Sequence, residues 1–201
     1  MNICVYGASS RAIDKKYTDA AYALGKCLAE RGHTLVFGGG NSGVMGASAR
    51  GADSVEGAGI LGIAPTFFNV DGVLYEHCTE FISPPDMRER KKLLEERSDA
   101  FVIAPGGIGT YDEFFEILTL KQLGRHNKPI AILNVDGYYD PLLALLRHTV
   151  DGAFMNETSM TLFAVFDAVE PLISYLETYD DPLRAVSFFK KIGESVTQED
   201  K

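Results

Sequence analysis

Short apolar runs recur along the whole chain, each bounded by glycine, proline or polar turn residues and separated by longer stretches. The runs are apolar at every position rather than at alternate positions, which is typical of parallel strands covered by helices on both faces. They predict strands at Ile3–Tyr6, Thr34–Phe37, Ile60–Ile63, Phe101–Ala104 and Ile130–Leu133, and two further short strands at Glu80–Ile82 and Thr161–Val165.

The longer stretches repeat their apolar residues at helical spacing. They predict helices at about Lys15–Arg31, Gly43–Asp53, Pro84–Arg97, Thr110–Leu123, Tyr139–Asp151 and Ala168–Glu177. Because strands and helices alternate, we expect an α/β fold with one Rossmann-like, doubly wound parallel sheet.

The domain organisation follows from the same pattern. Residues 1–179 are expected to form one domain, because no linker or internal repeat interrupts them. Residues 180–201 begin with Asp-Asp-Pro and end in a polar run, so they are interpreted as a C-terminal appendage. Three apolar residues of the appendage are candidates for docking on the domain: Val186, Phe188 and Phe189.

Composition narrows the class of partner. The formal net charge of −9 leaves no broad basic field for nucleic acid or an anionic membrane, so neither partner is expected. The first residues lack the pattern of a secretory signal, and no run of about 20 apolar residues could span a bilayer, so we expect a cytoplasmic protein. The three cysteines and four histidines are scattered without metal-ligand spacing, and no metal site is expected.

Two glycine-rich loops stand where an open parallel sheet binds its ligands. Gly38–Gly46 follows the second strand and Pro105–Thr110 follows Phe101–Ala104, and each loop opens a helix. Ligands of such sheets lie beyond the carboxyl ends of the strands, where helix N–H groups point outward and glycine lets an anion approach. Neither loop is a Walker A motif, and either one alone is explained as a tight turn. Two in one domain favour a phosphate site.

A charged helix between the two loops carries a candidate anion-binding arginine. Ser83 is predicted as the N-cap of this helix, with Pro84 in the first helical position. Its charges would normally form a solvated face. At 3.6 residues per turn, however, Arg90 lies on the same face as Met87 and Leu94, so it is expected to face inward and to need an anionic partner.

Two readings of Glu113 remain open on the residues alone. Thr110 and Glu113 fit a capping box, in which the glutamate has only a structural role. The helix that follows is apolar nearly all round, however, so it should be buried. Glu113 and Glu116 would then share an inner face, where carboxylates are costly unless they are paired or take part in chemistry.

Three motifs together resemble a known family. The sequence has GGGxxGxMG at Gly38–Gly46, MxxRK at Met87–Lys91 and PGGxGTxxE at Pro105–Glu113. In this order they resemble the hallmarks of the cytokinin riboside 5′-monophosphate phosphoribohydrolases of the "Lonely Guy" type, which are often mislabelled lysine decarboxylases. The similarity extends from Ile3 to about Leu176, and it includes Lys128–Asp140.

The sequence departs from the family pattern in two places. The family's CGSS after the first strand reads Gly-Ala-Ser-Ser at residues 7–10. Gly72 stands where the family has an acidic residue after the third strand, and Asp71 beside it is a possible substitute.

The resemblance implies an active site without a metal or organic cofactor, in a homodimer whose site lies near the subunit interface. The catalytic residues that it implies are Arg90 and Glu113. The substrate-binding positions are Ser9, Gly39, Gly40, Gly43, Met87, Lys91, Gly106, Gly107, Gly109, Thr110, Asp112 and Glu116.

The implied reaction is hydrolysis of the N-glycosidic bond of a nucleoside 5′-monophosphate. Its transition state resembles a ribosyl cation, which Glu113 could stabilise; Glu113 could also activate water, with Glu116 or Asp112 as a second carboxylate. Arg90 would hold a phosphate or a ribose hydroxyl.

Two rival functions stay open. The same loops suit a non-catalytic nucleotide-binding module, because the fold alone does not separate binding from catalysis. A lysine decarboxylase usually needs pyridoxal phosphate on a lysine, and no lysine here has a recognisable context for that cofactor.

Overall fold

One parallel sheet organises the part of the chain that the structure, a computed structural model, describes, which is residues 1–182. Its strands pair in the order β4-β3-β2-β1-β5-β6-β7, all of them parallel. The expected α/β fold with a doubly wound sheet is confirmed. The strands are β1 (Asn2–Tyr6), β2 (Thr34–Phe37), β3 (Ile60–Ile63), β4 (Glu80–Ile82), β5 (Ala100–Ile103), β6 (Ile130–Leu133) and β7 (Ala164–Phe166).

Helices connect the consecutive strands except β3 and β4, which a loop with a 3₁₀ turn joins, and they cover both faces of the sheet. They are α1 (Lys15–Glu30), α2 (Gly43–Asp53), α3 (Met87–Glu96), α4 (Ile108–Gln122), α5 (Asp140–Asp151) and α6 (Val169–Thr178). Short 3₁₀ turns lie at Thr66–Phe68, Val135–Gly137 and Glu157–Thr161.

The alternation along β1 shows how the core is divided. Ile3 and Val5 point to a cluster that α1, α2 and α6 complete. Cys4 and Tyr6 point to the opposite cluster, which α3, α4 and α5 complete. Because both faces of the central strand are buried, every position of the strand from Ile3 onward is apolar or aromatic, as the continuous run indicated.

Two glycines bring α1 and α2 close together. A Cβ on Gly25 would lie 1.9 Å from the backbone oxygen of Ser48, and a Cβ on Gly51 would lie 2.0 Å from that of Tyr22. Glycine in a helix interior is unfavourable in isolation. Here it permits direct contact between the two helix backbones. The start of α2 also lies against the loop after β1, where the N–H of Met45 donates to the oxygen of Ala8 at 3.2 Å.

The predicted start of α3 was wrong. The N-cap is Asp86, not Ser83, and its side chain accepts hydrogen bonds from the backbone N–H groups of Arg88 and Glu89. Ser83 is followed by Pro84 and a second proline, neither of which has an N–H group to donate, so a cap at Ser83 would have had little to bind.

Of the two readings of Glu113, the structure excludes the capping box. The helix begins at Ile108 with Gly107 as its N-cap, so Thr110 lies inside the first turn. Glu113 therefore cannot reach back to an N-cap at Thr110, and it pairs elsewhere. The helix is also less enclosed than expected: Phe114 is fully buried, but Phe115 is 38% exposed.

The last strand begins later than predicted. Thr161 ends a 3₁₀ turn that Asn156 caps, and the strand starts only at Ala164. The division into a domain of residues 1–179 and an appendage of residues 180–201 stays a prediction. Its docking candidates Val186, Phe188 and Phe189 lie outside the described residues.

The strand order places a crevice between β1 and β5. The chain moves outward from β1 to β4 on one side and from β5 to β7 on the other, so the loops after β1 and β5 diverge at this point. The backbone N–H of Ala8 donates to the oxygen of Pro105 at 3.0 Å, which ties the two loops together at the base of the crevice.

Candidate active site

A cavity of about 530 Å³ opens at this crevice. Its walls come from the loops after β1, β2, β3 and β5, together with the first turns of α3 and α4. This is the position at which open α/β sheets bind their ligands, and the volume is typical of a site for a small molecule.

A buried ion pair lies in the wall of the cavity. Nη1 of Arg90 donates to Oε1 of Glu113 at 2.6 Å, and the two residues are 7% and 9% exposed. Nε of Arg90 donates to the backbone oxygen of Ile63 at 3.1 Å. The inward orientation of Arg90 predicted from helical periodicity is confirmed, whereas Met87 on the same predicted face lines the cavity but is 38% exposed.

Glycine at position 38 makes room for this arginine. A Cβ on Gly38 would lie 2.3 Å from Nη2 of Arg90, well inside van der Waals contact. The guanidinium group therefore rests directly on the glycine-rich loop after β2. The sequence predicted an anion at this loop, but the group that lies against Gly38 is a cation, the guanidinium of Arg90.

The environment of Glu113 changes its affinity for protons. Burial raises the pKa of Glu113 above its ordinary value of 4.5, and the nearby Arg90 opposes that rise. A carboxylate with a pKa moved towards neutrality inside a ligand cavity is a candidate for proton transfer or charge stabilisation.

A second, more exposed ion-pair cluster lies beside the first. Nζ of Lys91 is 2.6 Å from Oε2 of Glu116 and 3.1 Å from Oδ2 of Asp112. These contacts raise the pKa of Lys91, the hydrogen bond to Glu116 having the largest effect. Lys91 follows Arg90 on α3, so two successive cations of α3 face three carboxylates of α4.

The first turn of α4 provides free backbone donors at the cavity. Ile108, Gly109 and Thr110 occupy the first helical positions, whose N–H groups have no partner within a helix. Ile108 and Gly109 are exposed, while Thr110 is buried with its hydroxyl oxygen only 2.1 Å from where a Cβ on Gly106 would lie. Gly106 is thus required for the tight turn before the helix.

Two tyrosines form hydrogen bonds with the backbone of this turn and of the residues just before it. The hydroxyl of Tyr138 donates to the backbone oxygen of Gly106, and that of Tyr139 donates to the oxygen of Ala104, each at 2.7 Å. Sequence analysis included these tyrosines in the matched segment Lys128–Asp140 without assigning them a role. Their hydrogen bonds indicate that the segment fixes the backbone of the loop after β5.

The segment after β3 forms an apolar rim. It is pinned to the loop after β2 by backbone hydrogen bonds from Asn41 to Val73 and from Tyr75 to Gly39. Phe68 and Val73 line the cavity, yet both are partly exposed. Their position at the carboxyl end of a strand was a signal that they lie near the site, but no motif marks them.

Arg11 is a further cavity residue that sequence analysis did not identify. Its Nε donates to the hydroxyl of Ser42 at 2.8 Å, and both residues line the cavity. Ser42 precedes α2 and does not cap it with its side chain. The signal available in the sequence was the position of Arg11, five residues beyond the end of β1, which borders the crevice.

The structure brings most of the expected site residues together. The residues among them that line the cavity are Ser9, Gly40, Met87, Arg90, Gly107, Gly109, Thr110, Asp112 and Glu113. Those that lie outside its lining are Gly39, Gly43, Lys91, Gly106 and Glu116. Gly39 and Gly43 have φ of +73° and +61°, so they are required for the shape of the loop.

The described residues form neither a metal site nor a membrane-spanning helix. Over residues 1–182, no three His, Cys, Asp or Glu side chains are grouped so that they could hold a metal ion. Within the same range, no helix combines the length and apolar character needed to cross a bilayer.

The fold and the site together define a doubly wound α/β protein. Its ligand cavity lies at the crevice between β1 and β5 and contains a buried arginine–glutamate pair. The family described as "Possible lysine decarboxylase" matches residues 45–176. The chain is 38% identical over 88% of its length to cytokinin riboside 5′-monophosphate phosphoribohydrolase LOG of Oryza sativa subsp. japonica, covering 73% of that protein. It is 37% identical over 88% of its length to the LOG2 protein of Arabidopsis thaliana, covering 83% of that protein.

The chain belongs to the cytokinin riboside 5′-monophosphate phosphoribohydrolase family, and thus to a family of enzymes. Among solved structures, it resembles the molybdenum cofactor binding protein of Rippkaea orientalis, with a TM-score of 0.66 and 22% identity over 88% of this chain and 94% of that one. At this identity the likeness shows the fold alone.

Proposed function

We propose that this protein hydrolyses the N-glycosidic bond of a nucleoside 5′-monophosphate, either a cytokinin riboside 5′-monophosphate or AMP, to free base and ribose 5-phosphate. The observation that carries the proposal is the Arg90–Glu113 pair, buried in the wall of a cavity that also exposes the first turn of α4. The same helix, α4, thus contributes the carboxylate of Glu113 and the N–H donors that could bind a phosphate.

The chemistry requires one negative group near the anomeric carbon. As the C1′–N bond breaks, its electron pair moves to the base and positive charge develops on the ribose ring. We assign to Glu113 the stabilisation of that charge and the orientation of the attacking water. The water oxygen bonds to C1′ and loses one proton, and the departing base gains one, so no proton is gained or lost overall.

Arg90 has two functions in this proposal. It holds one oxygen of Glu113 at 2.6 Å, which fixes the direction of the carboxylate, and it keeps Glu113 ionised against the effect of burial. Its remaining N–H groups can donate to a ribose hydroxyl or to the phosphate. A charged arginine is well suited to this position because its planar group donates in several directions at once.

The phosphate is assigned to the first turn of α4. Free N–H groups at a helix N-terminus favour an anion, and the hydroxyl of Thr110 lies in the same turn. Gly107 and Gly109 have nothing within 4 Å of where a Cβ would lie, so this side of the cavity has room for a phosphate group. Ser9, Gly40 and Met87 line the rest of the cavity and are proposed to contact the ribose or the base.

A panel of substrates tests the proposal. Purified protein is incubated with AMP, N6-prenylated AMP and the two matching nucleosides, and free base is separated by chromatography. We expect release from at least one nucleotide and, because the phosphate site is unfilled, much slower release from its nucleoside. Tight binding of the nucleotides without any release of base would instead indicate a non-catalytic binding module.

The decarboxylase alternative has a separate readout. No lysine is among the residues that line the cavity within the described range, and Lys91 beside it is engaged by two carboxylates. A pyridoxal phosphate enzyme would need a lysine in the site. Visible absorbance of the purified protein, together with an assay for carbon dioxide release from lysine, decides this alternative.

We also propose that the protein acts as a cytoplasmic homodimer. Apolar side chains stay exposed on the face that carries α4 and α5: Phe115 and Leu145 lie on these helices, and Phe154 follows them. Burial of such residues against a second copy would stabilise a dimer. Light scattering of the purified protein gives its mass directly, and a monomer at micromolar concentration would contradict the proposal.

A further inference from the structure

The ion-pair cluster around Lys91 has no defined part in the reaction proposed above. Nζ of Lys91 lies between Asp112 and Glu116, at 3.1 Å and 2.6 Å from their nearest oxygens in the two ion pairs. The side chain of Lys91 is only 20% exposed, less than either of its partners. A single lysine thus bridges one residue on each side of Glu113 along α4.

A small second cavity connects this cluster with the buried carboxylate. It has a volume of about 160 Å³, and within residues 1–182 Glu113 is the one residue that lines both this cavity and the ligand cavity. Lys91, Glu113 and Glu116 all line it. The lysine and the carboxylate therefore face a common space, through which the charge of one acts on the other over a short distance.

A count of charges shows that Lys91 reduces the net negative charge around Glu113. On α4, the carboxylates of Asp112, Glu113 and Glu116 lie within five residues of the chain. Against them α3 places Arg90 and Lys91, so the group carries three negative and two positive charges and a net charge of −1. Without Lys91 the same group would carry −2, and a proton on Glu113 would relieve part of the repulsion.

The other groups that face Glu113 do not replace this cation. From β1, the side chains of Cys4 and Tyr6 are neutral, and burial raises the pKa of both well above the physiological range. From α3, Lys92 and Glu95 line the small cavity with opposite charges. Across the ligand cavity, Arg11 lies in the opposite wall, hydrogen-bonded to Ser42.

We propose that Lys91 is a positioning residue of the active site, which holds α4 against α3 and keeps Glu113 ionised by neutralising the carboxylates that flank it. The inference rests on the proposed function for its role in turnover, but its electrostatic part does not need a substrate. Lys91 acts through Glu113 and lies outside the lining of the ligand cavity.

The groups around Glu113 predict the direction in which loss of Lys91 shifts the pKa of Glu113. Lys91 and Arg90 lower the pKa of Glu113, while burial and Asp112 raise it. Loss of Lys91 therefore raises the pKa further, and the ionised form is lost at a higher pH. Since the reaction needs the ionised carboxylate, the acid limb of kcat/KM also moves to higher pH.

Four variants of the full-length protein separate this role from general charge effects. Lys91→Met removes the cation and Lys91→Arg keeps it. Lys92→Met is the matched control, because Lys92 is the next residue on α3 and its ion pairs are with Glu89 and Glu96 of its own helix. In the double variant Lys91→Met/Asp112→Asn, one positive and one negative charge are removed together.

The titration of Glu113 is followed by NMR of protein labelled with ¹³C at the glutamate carboxyl, without substrate; the signal is assigned from its loss in Glu113→Gln. We expect Lys91→Met to move the midpoint to higher pH, Lys91→Arg and Lys92→Met to leave it near the wild-type value, and the double variant to move it back. At the acid end, kcat/KM of Lys91→Met should fall by about fivefold more than at high pH, as expected for about 1 kcal/mol of charge interaction.

An unchanged midpoint in Lys91→Met, or an equal change in Lys92→Met, overturns the proposal. A Lys91→Arg variant that titrates like Lys91→Met overturns it as well, because the charge is then not what matters. If wild-type protein releases no base, the proposed hydrolysis fails, while the carboxyl titration still decides whether Lys91 acts on Glu113.

Discussion

The geometry of the site depends on the lack of a side chain at Gly38. Arg90 can lie across the loop after β2 only because position 38 is glycine, and it can bind Glu113 only from that place. Its Nε hydrogen bond to Ile63 fixes the other end of the guanidinium group. A buried ion pair is stable only when its remaining donors are satisfied in this way. The pair therefore depends on a residue that carries no charge itself.

Gly38→Ala tests this dependence at the scale of one methyl group. The new Cβ would lie 2.3 Å from Nη2 of Arg90, so the guanidinium group must shift from the position in which it binds Glu113. We expect kcat/KM to fall by about 100-fold, the effect of a misplacement of about 1 Å in a catalytic site.

The control for this variant is Gly152→Ala, at the end of α5, where the nearest atom to a new Cβ belongs to the exposed side chain of Phe154. Urea unfolding of both variants shows how much of the loss is due to instability. Full turnover by Gly38→Ala would show that the position of Arg90 is not critical.

At the scale of helices and strands, the sequence predicted which elements exist better than it predicted where they begin and end. The apolar runs that became β1 to β3 and β6 were placed to within one residue, because a strand buried on both faces has no polar position to obscure it. The starts of α3 and α4 were misplaced. Pro84 and Pro85 lack the N–H groups that a cap at Ser83 would bind, so α3 begins later than predicted. Gly107 is the N-cap of α4, so that helix begins earlier than predicted. Thr110 and Glu113 matched a capping motif, but the helix had already begun at Ile108.

The contact between α1 and α2 gives a prediction at this scale. A Cβ on Gly51 would lie 2.0 Å from the backbone oxygen of Tyr22, so Gly51→Ala must push the two helices apart. Overpacking of this kind typically costs about 1–3 kcal/mol of unfolding free energy.

The same change in α4 should have the opposite sign. A Cβ on Gly109 meets nothing within 4 Å, so Gly109→Ala should raise the unfolding free energy by up to about 1 kcal/mol through a lower entropy of the unfolded chain. Urea denaturation of both variants gives the comparison. Equal stabilities would mean that α1 and α2 do not need their close approach.

For the molecule as a whole, the alternation of strands and helices predicted the class of fold and the edge of the sheet that binds ligands. It did not predict which loops meet there, because that depends on the order of the strands in the sheet. Arg11 and the rim residue Phe68 reach the cavity from loops without any motif. Arg90 and Glu113 were identified from burial patterns and family motifs together, and neither alone excluded a structural role.

A buried lysine far along α4 makes stability depend on pH. Lys121 is 4% exposed, and its Nζ donates to the hydroxyl of Tyr179 at 2.8 Å. Burial lowers its pKa from 10.5 to about 8. In the unfolded chain the amine keeps its proton up to about pH 10.5, so between these values the unfolded state binds more protons and a rise in pH favours the folded state.

The unfolding free energy of the wild type minus that of Lys121→Met should therefore rise between pH 8 and 10, by up to about 1.4 kcal/mol per pH unit. Urea denaturation at pH 7, 8, 9 and 10 measures it, and the subtraction removes the effects of all other titrating groups. Parallel stability curves for the two proteins would show that Lys121 keeps its proton in the folded state.

In the proposed reaction, a buried carboxylate paired with an arginine drives cleavage of an N-glycosidic bond. The most direct measurement is the simultaneous quantification of free base and ribose 5-phosphate from a nucleoside 5′-monophosphate, for wild type, Glu113→Gln and the remote control Glu96→Gln. Glutamine keeps an acceptor oxygen for Arg90, and circular dichroism checks that the variant is folded. We predict equal amounts of the two products from wild type and from the control, and a loss of at least about 100-fold in Glu113→Gln. Equal turnover by a folded Glu113→Gln, or base released without ribose 5-phosphate, would contradict the account.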